Sequence, residues 1–335
     1  ACGYDNVWVT VEKVRVHQSG SAGEADGGWH EVVLASPRRV DLLTLTNGAL
    51  MPLGQTELPA GTYTQMRLVL AATNAIKPTD GDETALTTPS GQQSGLKMNV
   101  NLTVNPDTVA DFAIDFNACK SFVRAGNSGQ YLLKPVLSVI PIISSKIVGF
   151  VDAAIANGNT AVSAQVDGTA LRATAPDTSG RFELAWVPAG TYDLVITAQG
   201  RVNAVMTGVP VTAAGATTIG SNTARLLPPA SAASAVASGT VTPSTDASVR
   251  ALQTLSAGTK MDVGYAGADA TTGAHSITLP TDAPVSVAYA ASAASFVFAS
   301  DAAQAGRYRL EARSGSSTQG IDVTLPSAPV NFTFP

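Results

Sequence analysis

The sequence contains few charged residues and no long apolar run. Only 13% of its 335 residues are charged, and the formal net charge is −5. The 20 basic residues form no cluster, which disfavours electrostatic binding to nucleic acid or to an anionic membrane surface. The longest apolar run, Val136 to Ile143, is interrupted by Ser138 and Pro141 and is far shorter than the roughly 20 residues that span a bilayer. We therefore expect no nucleic-acid partner and no transmembrane segment.

Long helical periodicity of apolar residues is also absent, whereas alternation of apolar and polar residues is common. Phe112, Ile114 and Phe116, for example, alternate with Ala113 and Asp115. This period of two predicts strands with one dry and one wet face, and therefore an all-β protein. At roughly 100 to 150 residues per domain, the length predicts two or three domains. We expect three tandem β-sandwich domains.

Shifts in motif and composition predict the domain boundaries. The expected domains are 1–144, 145–227 and 238–335, and the Pro-, Ala- and Ser-rich segment 228–237 is the expected semi-rigid linker. The third domain is predicted to be a divergent copy of the second, since three motifs recur in the same order. The matched pairs are Ser238–Thr242 with Ile147–Val151, Thr272–Ile277 with Ser179–Leu184, and Val285–Tyr289 with Tyr192–Ile196.

Two strands of the first domain allow predictions about individual faces. Apolar residues change parity within Val7–Val16, so a bulge near Glu12–Lys13 is needed to turn all of them inward. In a later strand, Tyr63, Gln65 and Arg67 share one parity, and the alternation places them on the wet face.

A proline-glycine turn begins a strand twice, at Leu58–Tyr63 and at Val187–Tyr192, and a degenerate relative stands at Leu279–Pro284. In the second domain this turn joins a glycine-aromatic strand, Gly180–Leu184, to the strand Tyr192–Ile196. With these motifs the second domain resembles the carboxypeptidase regulatory-like family, a small transthyretin-like β-sandwich. The resemblance implies an accessory module that carries no catalytic residues, and it makes the expected sandwiches Ig-like or transthyretin-like.

Five motifs mark residues 3–140: Val14–His17, Val40–Leu43, Leu58–Tyr63, Pro89–Lys97 and Tyr131–Val136. With them, this part closely resembles a bacterial cell-envelope family, domain of unknown function 4382. The resemblance implies export and assigns no activity. Such domains usually begin with an additional strand that ends in a Thr-Asp-Ala-Pro-like turn, and this sequence starts after that point. It therefore predicts a sheet with one edge open to another chain, unless the strand precedes Ala1.

The two cysteines, Cys2 and Cys119, have a spacing that fits no metal or redox motif. One expectation is a disulfide between them, which would stabilise the fold by about 4 to 5 kcal/mol in the chain-entropy model. The alternative is lipidation of Cys2, because Ala1-Cys2-Gly3 resembles the end of a lipoprotein signal. Either chemistry predicts an extracellular or cell-surface protein, and the second predicts an outer-membrane lipoprotein.

No motif predicts catalysis. The sequence has no Gly-x-Ser-x-Gly elbow, and Asp111 and Asp115 lie about 13 Å apart along a strand, too far for a glycosidase pair. His17, His30 and His275 are too scattered to predict a metal site.

Two further candidate sites each have an alternative interpretation without a ligand. Asp80, Asp82 and Glu83 offer oxygen ligands around a glycine, so they are a candidate Ca²⁺ site or else a plain acidic loop; no other cofactor is expected. The three tryptophans either stack on a glycan or fill the cores of the sandwiches. They are Trp8, Trp29 and Trp186.

These observations predict a non-enzymatic structural protein of the bacterial cell surface, a filament subunit that polymerises by strand complementation at an open sheet edge. The expected assembly strand consists of Val330, Asn331, Phe332, Thr333 and Phe334. Deleting residues 328–335 is then expected to abolish assembly and to leave the monomer folded. The expected partners are further copies or other cell-surface proteins. The alternative is a monomeric adhesin or glycan-binding module with contacts on loops such as Ser19–Trp29.

Overall fold

The computed structural model describes residues 3–88, 91, 94–244 and 246–335. The protein is all-β, with 53% of residues in strands and 4% in helices, as the alternation predicted. It divides into a smaller unit, Gly3–Leu45 with Ala49–Ile142, and a larger unit, Thr46–Gly48 with Ile143–Pro335. The predicted count of three domains is therefore not confirmed. In the described ranges, no helix has the length and apolar character needed to cross a membrane.

The smaller unit has a large sheet and a second sheet of two strands. In the large sheet the strand order is β6-β3-β1-β4-β5-β9-β8, with β2 also paired to β1, and the second sheet is β10-β7. Short 3-10 helices are Leu42–Thr44, Ala118–Lys120 and Gly126–Ser128. The strands are β1 Tyr4–His17, β2 His30–Asp41, β3 Gly61–Leu70, β4 Ala75–Pro78, β5 Thr84–Thr87, β6 Leu96–Val104, β7 Phe112–Phe116, β8 Phe122–Arg124, β9 Tyr131–Leu133 and β10 Leu137–Pro141.

The predicted bulge in the first strand is confirmed. Pairing of β1 with both β2 and β3 shifts register between Val11 and Lys13. A bulge adds one residue to one strand, so the side chains that follow change face. Val14 and Val16 consequently join the same buried core as Val9.

The predicted wet face of β3 is wrong. Tyr63 and Gln65 are 0% exposed and Arg67 is 6% exposed. Tyr63 packs in the core because the pairing of β3 with β6 shifts register between Tyr63 and Gln65. Gln65 and Arg67 are buried on the other face, where the loop between β1 and β2 folds back over them and the carbonyl oxygen of Ala22 accepts hydrogen bonds from both side chains.

The larger unit contains four groups of paired strands and the short 3-10 helices Ala153–Ile155 and Ala302–Gln304. The strands are β11 Lys146–Phe150, β12 Thr160–Val166, β13 Thr169–Thr174, β14 Arg181–Ala185, β15 Gly190–Ala198, β16 Ala204–Val211, β17 Ala216–Ile219, β18 Ser234–Thr242, β19 Ala247–Thr254, β20 Lys260–Gly267, β21 Ala274–Pro280, β22 Val285–Ala288, β23 Ala299–Ser300, β24 Arg307–Ser314, β25 Ser317–Thr324 and β26 Phe332–Thr333.

One pairing scheme occurs twice in the larger unit. β11 lies between antiparallel β14 and parallel β17, and β18 lies between antiparallel β21 and parallel β26. The opposite sheets contain β13-β12-β15-β16 in the first half and β20-β19-β24-β25 in the second. In each half, apolar side chains from both sheets form a shared core, which is the arrangement of a β-sandwich.

The strand at 285–288 does not occupy the position that the motif order predicted. In the pairing scheme β24 takes the place of β15, so the match of Val285–Tyr289 with Tyr192–Ile196 is wrong. β22 instead pairs in parallel with β16 of the first half, and Val285 is buried in the first half's core. An insertion between β21 and β24 therefore extends the neighbouring sheet.

Further contacts join the two halves of the larger unit. The side chain of Gln165 donates to the carbonyl oxygen of Asp262 at 2.9 Å and accepts from its backbone N–H at 2.8 Å. Val195 and Val205 share a buried cluster with Met261. Because these groups are buried against each other, the two halves form one compact unit.

Candidate functional site

The predicted assembly strand lies at the edge of a sheet in the larger unit. Its main chain runs parallel to β18, and the N–H of Val330 donates to the carbonyl oxygen of Ser238 at 2.8 Å. The N–H of Phe334 donates in the same way to Thr242, at 2.8 Å. Phe332 pairs with Val241 between them. The segment is thus held by main-chain bonds to one neighbouring strand.

The side chains of the segment alternate between core and surface. Val330, Phe332 and Phe334 are 8%, 1% and 7% exposed, and all three belong to the core of the second half. Asn331 lies on the outer face, where its Oδ1 accepts from the N–H and the hydroxyl of Thr240, both at 3.0 Å. The segment therefore fills a groove that recognises both its backbone and its apolar side chains.

Gly239 forms the floor of this groove. A Cβ atom at this position would overlap the carbonyl oxygen of Val330, so only glycine allows the strand to lie this close to β18. Gly149 has the equivalent place in the first half, where a Cβ atom would meet Phe182 and Ile219. The glycine in each half thus marks where the third strand of the sheet approaches.

His275 closes the groove from the opposite strand, β21. Its Nε2 lies 3.0 Å from the carbonyl oxygen of Val330, and its side chain is 4% exposed. Its Nδ1 is buried and has no hydrogen-bond partner among the residues that the structure describes. Because a carbonyl only accepts, Nε2 carries a proton; in the neutral ring, which burial favours, Nδ1 then carries none. Burial lowers the pKa of His275, and the bond to Val330 opposes this effect. From the sequence, this residue was one of three scattered histidines. Its place next to the assembly strand follows from its cross-strand pairing with Gly239, which sequence separation does not reveal.

A second open edge is present in the smaller unit. In the part of the chain described here, β7 pairs only with β10. The backbone N–H of Asn117 donates to the carbonyl oxygen of Val136, and that of Ile142 donates to the carbonyl oxygen of Asp111, both at 3.0 Å. These two bonds show which residues of β7 direct their N–H and C=O groups towards β10. In an antiparallel pair the intervening residues point their N–H and C=O groups the other way. On β7 these are Phe112, Ile114 and Phe116, whose half-buried side chains contact the core.

The predicted calcium ligands are not gathered into a site. One oxygen of Glu83 accepts from Arg39 Nη2 at 2.6 Å, and Asp80 and Asp82 lie in an exposed turn. Among the residues that the structure describes, no group of three or more His, Cys, Asp or Glu side chains is close enough to hold a metal ion.

The other predicted site residues lie in separate local environments. His17 Nε2 lies 2.9 Å from the carbonyl oxygen of Gly27, whereas the ring of His30 packs edge-on against Tyr63 with 6.1 Å between centroids. Cys2 is outside the described residues, so its pairing with Cys119, which lies in the short helix Ala118–Lys120, stays a prediction.

The tryptophans of the smaller unit contact arginines. The guanidinium carbon of Arg39 lies 4.6 Å from the ring centroid of Trp8, and those of Arg15 and Arg67 lie 4.5 and 4.8 Å from that of Trp29. Such contacts are cation–π interactions, which are most favourable with tryptophan. Trp186 is half-buried and has a positive φ of 54°.

Comparison with known families supports one of the two resemblances. The family model described as "Domain of unknown function (DUF4382)" matches residues 1–135. The motif Pro89–Lys97 falls within this match, although residues 89, 90, 92 and 93 lie outside the described part of the structure. No match was found among curated proteins or among solved structures. The resemblance of the second predicted domain to the carboxypeptidase regulatory-like family therefore remains a prediction.

Proposed function

We propose that this protein is a non-enzymatic, exported assembly subunit of the bacterial cell surface. In the assembly, Val330–Phe334 of one copy occupies the groove on β18 of a neighbouring copy. The observation that carries the proposal is the groove, which holds a short edge strand through main-chain bonds to one strand and through alternating apolar side chains. This is the chemistry of β-strand addition, in which backbone bonds contribute affinity and side-chain pockets contribute specificity.

The energy of burial decides which edge accepts the strand. Val330, Phe332 and Phe334 are buried in their own core. Moving them to a new site exposes that core at about 1.5–3 kcal/mol per side chain, or about 5–9 kcal/mol in all. The apolar side chains at the open edge of β7 are only half-buried, so binding of the strand at that edge would not restore the burial energy that it loses on leaving its own groove. Transfer to the same groove of a second copy retains every contact, so exchange between equivalent grooves is the favoured route.

The exchange can produce two kinds of assembly. Reciprocal exchange between two copies closes a dimer, whereas exchange from each copy to the next produces an open chain. The hinge would be residues 325–329, which connect the larger unit to the strand and include Pro326 and Pro329. A filament of the kind predicted from the sequence requires the second arrangement.

The test is removal of the strand followed by its replacement in trans. A chain ending at residue 327 is expected to lose stability, because its core is uncovered, and to lose assembly. A synthetic peptide of residues 328–335 should bind this truncated chain and restore its stability. The matched control is the same peptide with Phe332→Asp, which keeps the length and the backbone bonds. Equal binding of both peptides, or no binding of either, would exclude strand exchange.

Assembly itself is tested by negative-stain electron microscopy of native material. The proposal is supported if the native protein forms regular filaments and the truncated chain forms none. With the peptide added, the truncated chain should form only isolated particles, because the peptide fills the groove without linking two copies. Filaments that persist after truncation would place the assembly contact elsewhere, and the β7 edge would then be the next surface to change.

A further inference from the structure

A row of three cations crosses the outer face of the large sheet in the smaller unit. Arg15 on β1 stands directly opposite Arg67 on β3, and Arg67 stands opposite Lys97 on β6. At the other end of the row, Glu31 on β2 pairs with Arg15, whose Nε lies 2.8 Å from its carboxylate. Like charges directly opposite each other destabilise a sheet. Glu31 is the one carboxylate in the described ranges that forms an ion pair with the row, and Glu24 and Asp26 stand in the loop that covers it.

Arg67 is the most enclosed member of the row. It is 6% exposed, and in the described ranges its hydrogen bonds go to backbone carbonyl oxygens and not to a carboxylate. Its Nη1 and Nη2 donate to the carbonyl oxygens of Ser94 and Ala22 at 3.0 and 2.8 Å. Its Nε is buried and has no hydrogen-bond partner in the part of the chain that the structure describes. The neighbouring Gln65 is 0% exposed, and among the described residues its Oε1 also has no hydrogen-bond partner. A buried charge without a counter-charge is costly, which is unusual for a purely structural position.

The loop Ser19–Gly28, here called the strap, supplies the oxygens that these cations contact. Carbonyl oxygens of alternate strap residues accept the bonds: Gly20 from Lys97 Nζ at 2.8 Å, Ala22 from Arg67, and Glu24 from Arg15 Nη2 at 3.2 Å. Within the strap only Ala22 is buried. These bonds are already charge-assisted, because the donors are cations. A carboxylate or sulfate in the place of the carbonyls would keep the hydrogen bonds and would add the attraction between opposite charges that a neutral carbonyl lacks.

We propose that Arg15, Arg67 and Lys97 form a binding site for an acidic glycan, whose carboxylate or sulfate oxygens take the places of the strap carbonyls. Adjacent strands are about 4.8 Å apart, so the row extends for about 10 Å and suits an extended polymer with repeated anionic groups. The ring of Trp29 lies beside two of the cations, and its Nε1 donates to the carbonyl oxygen of Gly23 at 2.9 Å, so this side chain links the strap to the row. Nucleic acid is disfavoured, because the chain has a net charge of −5 and the row is short.

The experiment measures binding of the full chain to two acidic polymers and one neutral polymer. Polygalacturonate carries carboxylates, heparin carries sulfates, and dextran is the uncharged control. We expect at least one acidic polymer to bind and dextran not to bind; which one binds identifies the anionic group. Lack of binding to both acidic polymers, or tighter binding to single-stranded DNA of equal length, would overturn the proposal.

Two pairs of variants localise the site. Lys97→Gln should weaken binding about tenfold, the loss expected for one charge-assisted hydrogen bond, whereas Lys77→Gln on β4 of the same unit should change it less than about twofold. Lys97 is used because it is exposed, so its replacement leaves the fold intact, whereas Arg67 is buried. Equal effects of both lysine variants would indicate charge attraction without a site and would overturn the assignment.

The second pair tests the strap. Ala22→Gly removes the one buried strap side chain and should tighten binding, because it weakens the competing carbonyl contacts. Ala25→Gly adds the same backbone freedom at an exposed position of the strap and should have a smaller effect. Identical affinities of these two variants would show that the strap does not compete for the cations. The inference does not depend on exchange of the C-terminal strand.

Discussion

The hydroxyl of Tyr308 donates a hydrogen bond to the carbonyl oxygen of Pro280 at 2.6 Å, and Tyr192 makes the same bond to Pro188 at 2.9 Å. The first pair is 28 residues apart in sequence and the second pair is 4 apart. The two halves of the larger unit therefore share one local arrangement of a tyrosine and a proline. In the second half, the insertion that contains β22 and β23 separates these two residues in the sequence.

Removing the Tyr308 hydroxyl should cost more than removing that of Tyr192. Asn203 Nδ2 also donates to the Tyr308 oxygen, at 3.2 Å. Tyr308→Phe therefore removes one hydrogen-bond partner from the amide of Asn203 and one from the carbonyl oxygen of Pro280. We expect a loss of about 1–3 kcal/mol for Tyr308→Phe and about 1 kcal/mol for Tyr192→Phe. Urea unfolding followed by Trp186 fluorescence, in a Trp8→Phe and Trp29→Phe background, measures both. A larger loss for Tyr192→Phe would contradict the assigned network.

Features that depend on neighbouring residues of one strand were predictable from the sequence. The change of parity after Val11 indicated the bulge, and the pairing register confirms it. The alternation of Val330, Phe332 and Phe334 is confirmed by their burial. In both cases the alternation of side chains within a single strand is sufficient to predict which of them are buried.

Features that depend on a distant segment were not predictable in this way. Gln65 and Arg67 have the alternation of a wet face, but the strap covers them. Tyr308 could not be matched with Tyr192 by its distance from the proline, because the insertion intervenes. The cation row was missed for a related reason, since Arg15, Arg67 and Lys97 become neighbours only through strand pairing.

The fit at Gly239 yields a second prediction. Gly239→Ala places a methyl group onto the carbonyl oxygen of Val330, so the edge strand must leave its groove. We expect a stability loss of about 3 kcal/mol or more, because Phe332 and its neighbours lose burial. The matched control is Gly190→Ala, where the nearest atoms, those of Tyr192, lie at an ordinary contact distance of 3.4 Å. Similar stability of the two variants would contradict the close approach.

The predicted disulfide provides a third test. If Cys2 and Cys119 are paired, native protein treated with an alkylating reagent should remain unlabelled until it is reduced. Cys119→Ser should then lower stability by about 4–5 kcal/mol in the chain-entropy model, because it frees a long loop in the unfolded chain. Immediate labelling of Cys119, with a lipid-modified mass for the N-terminal peptide, would instead support the lipoprotein alternative.

Acidification should weaken the docking of the edge strand through His275. Burial holds the pKa of this side chain below its ordinary value of 6.5, although its bond to Val330 opposes the shift. Below about pH 6.5 the unfolded chain therefore binds a proton that the folded chain does not. The free energy of unfolding consequently decreases as the pH is lowered, until the pH reaches the lowered pKa of His275 in the folded state. Above about pH 6.5 both states are neutral at this position, and its contribution is constant.

The matched variant is His275→Gln, which keeps a donor for the Val330 carbonyl but does not titrate in this range. Unfolding free energies of the larger unit, and affinities of the truncated chain for the 328–335 peptide, are measured at about pH 7.5 and about pH 5.5. The wild type should lose both stability and peptide affinity at the lower pH, and the variant should lose less of each. If both proteins respond equally, other groups cause the pH dependence; if only peptide affinity responds, His275 acts on the strand and not on the remainder of the core.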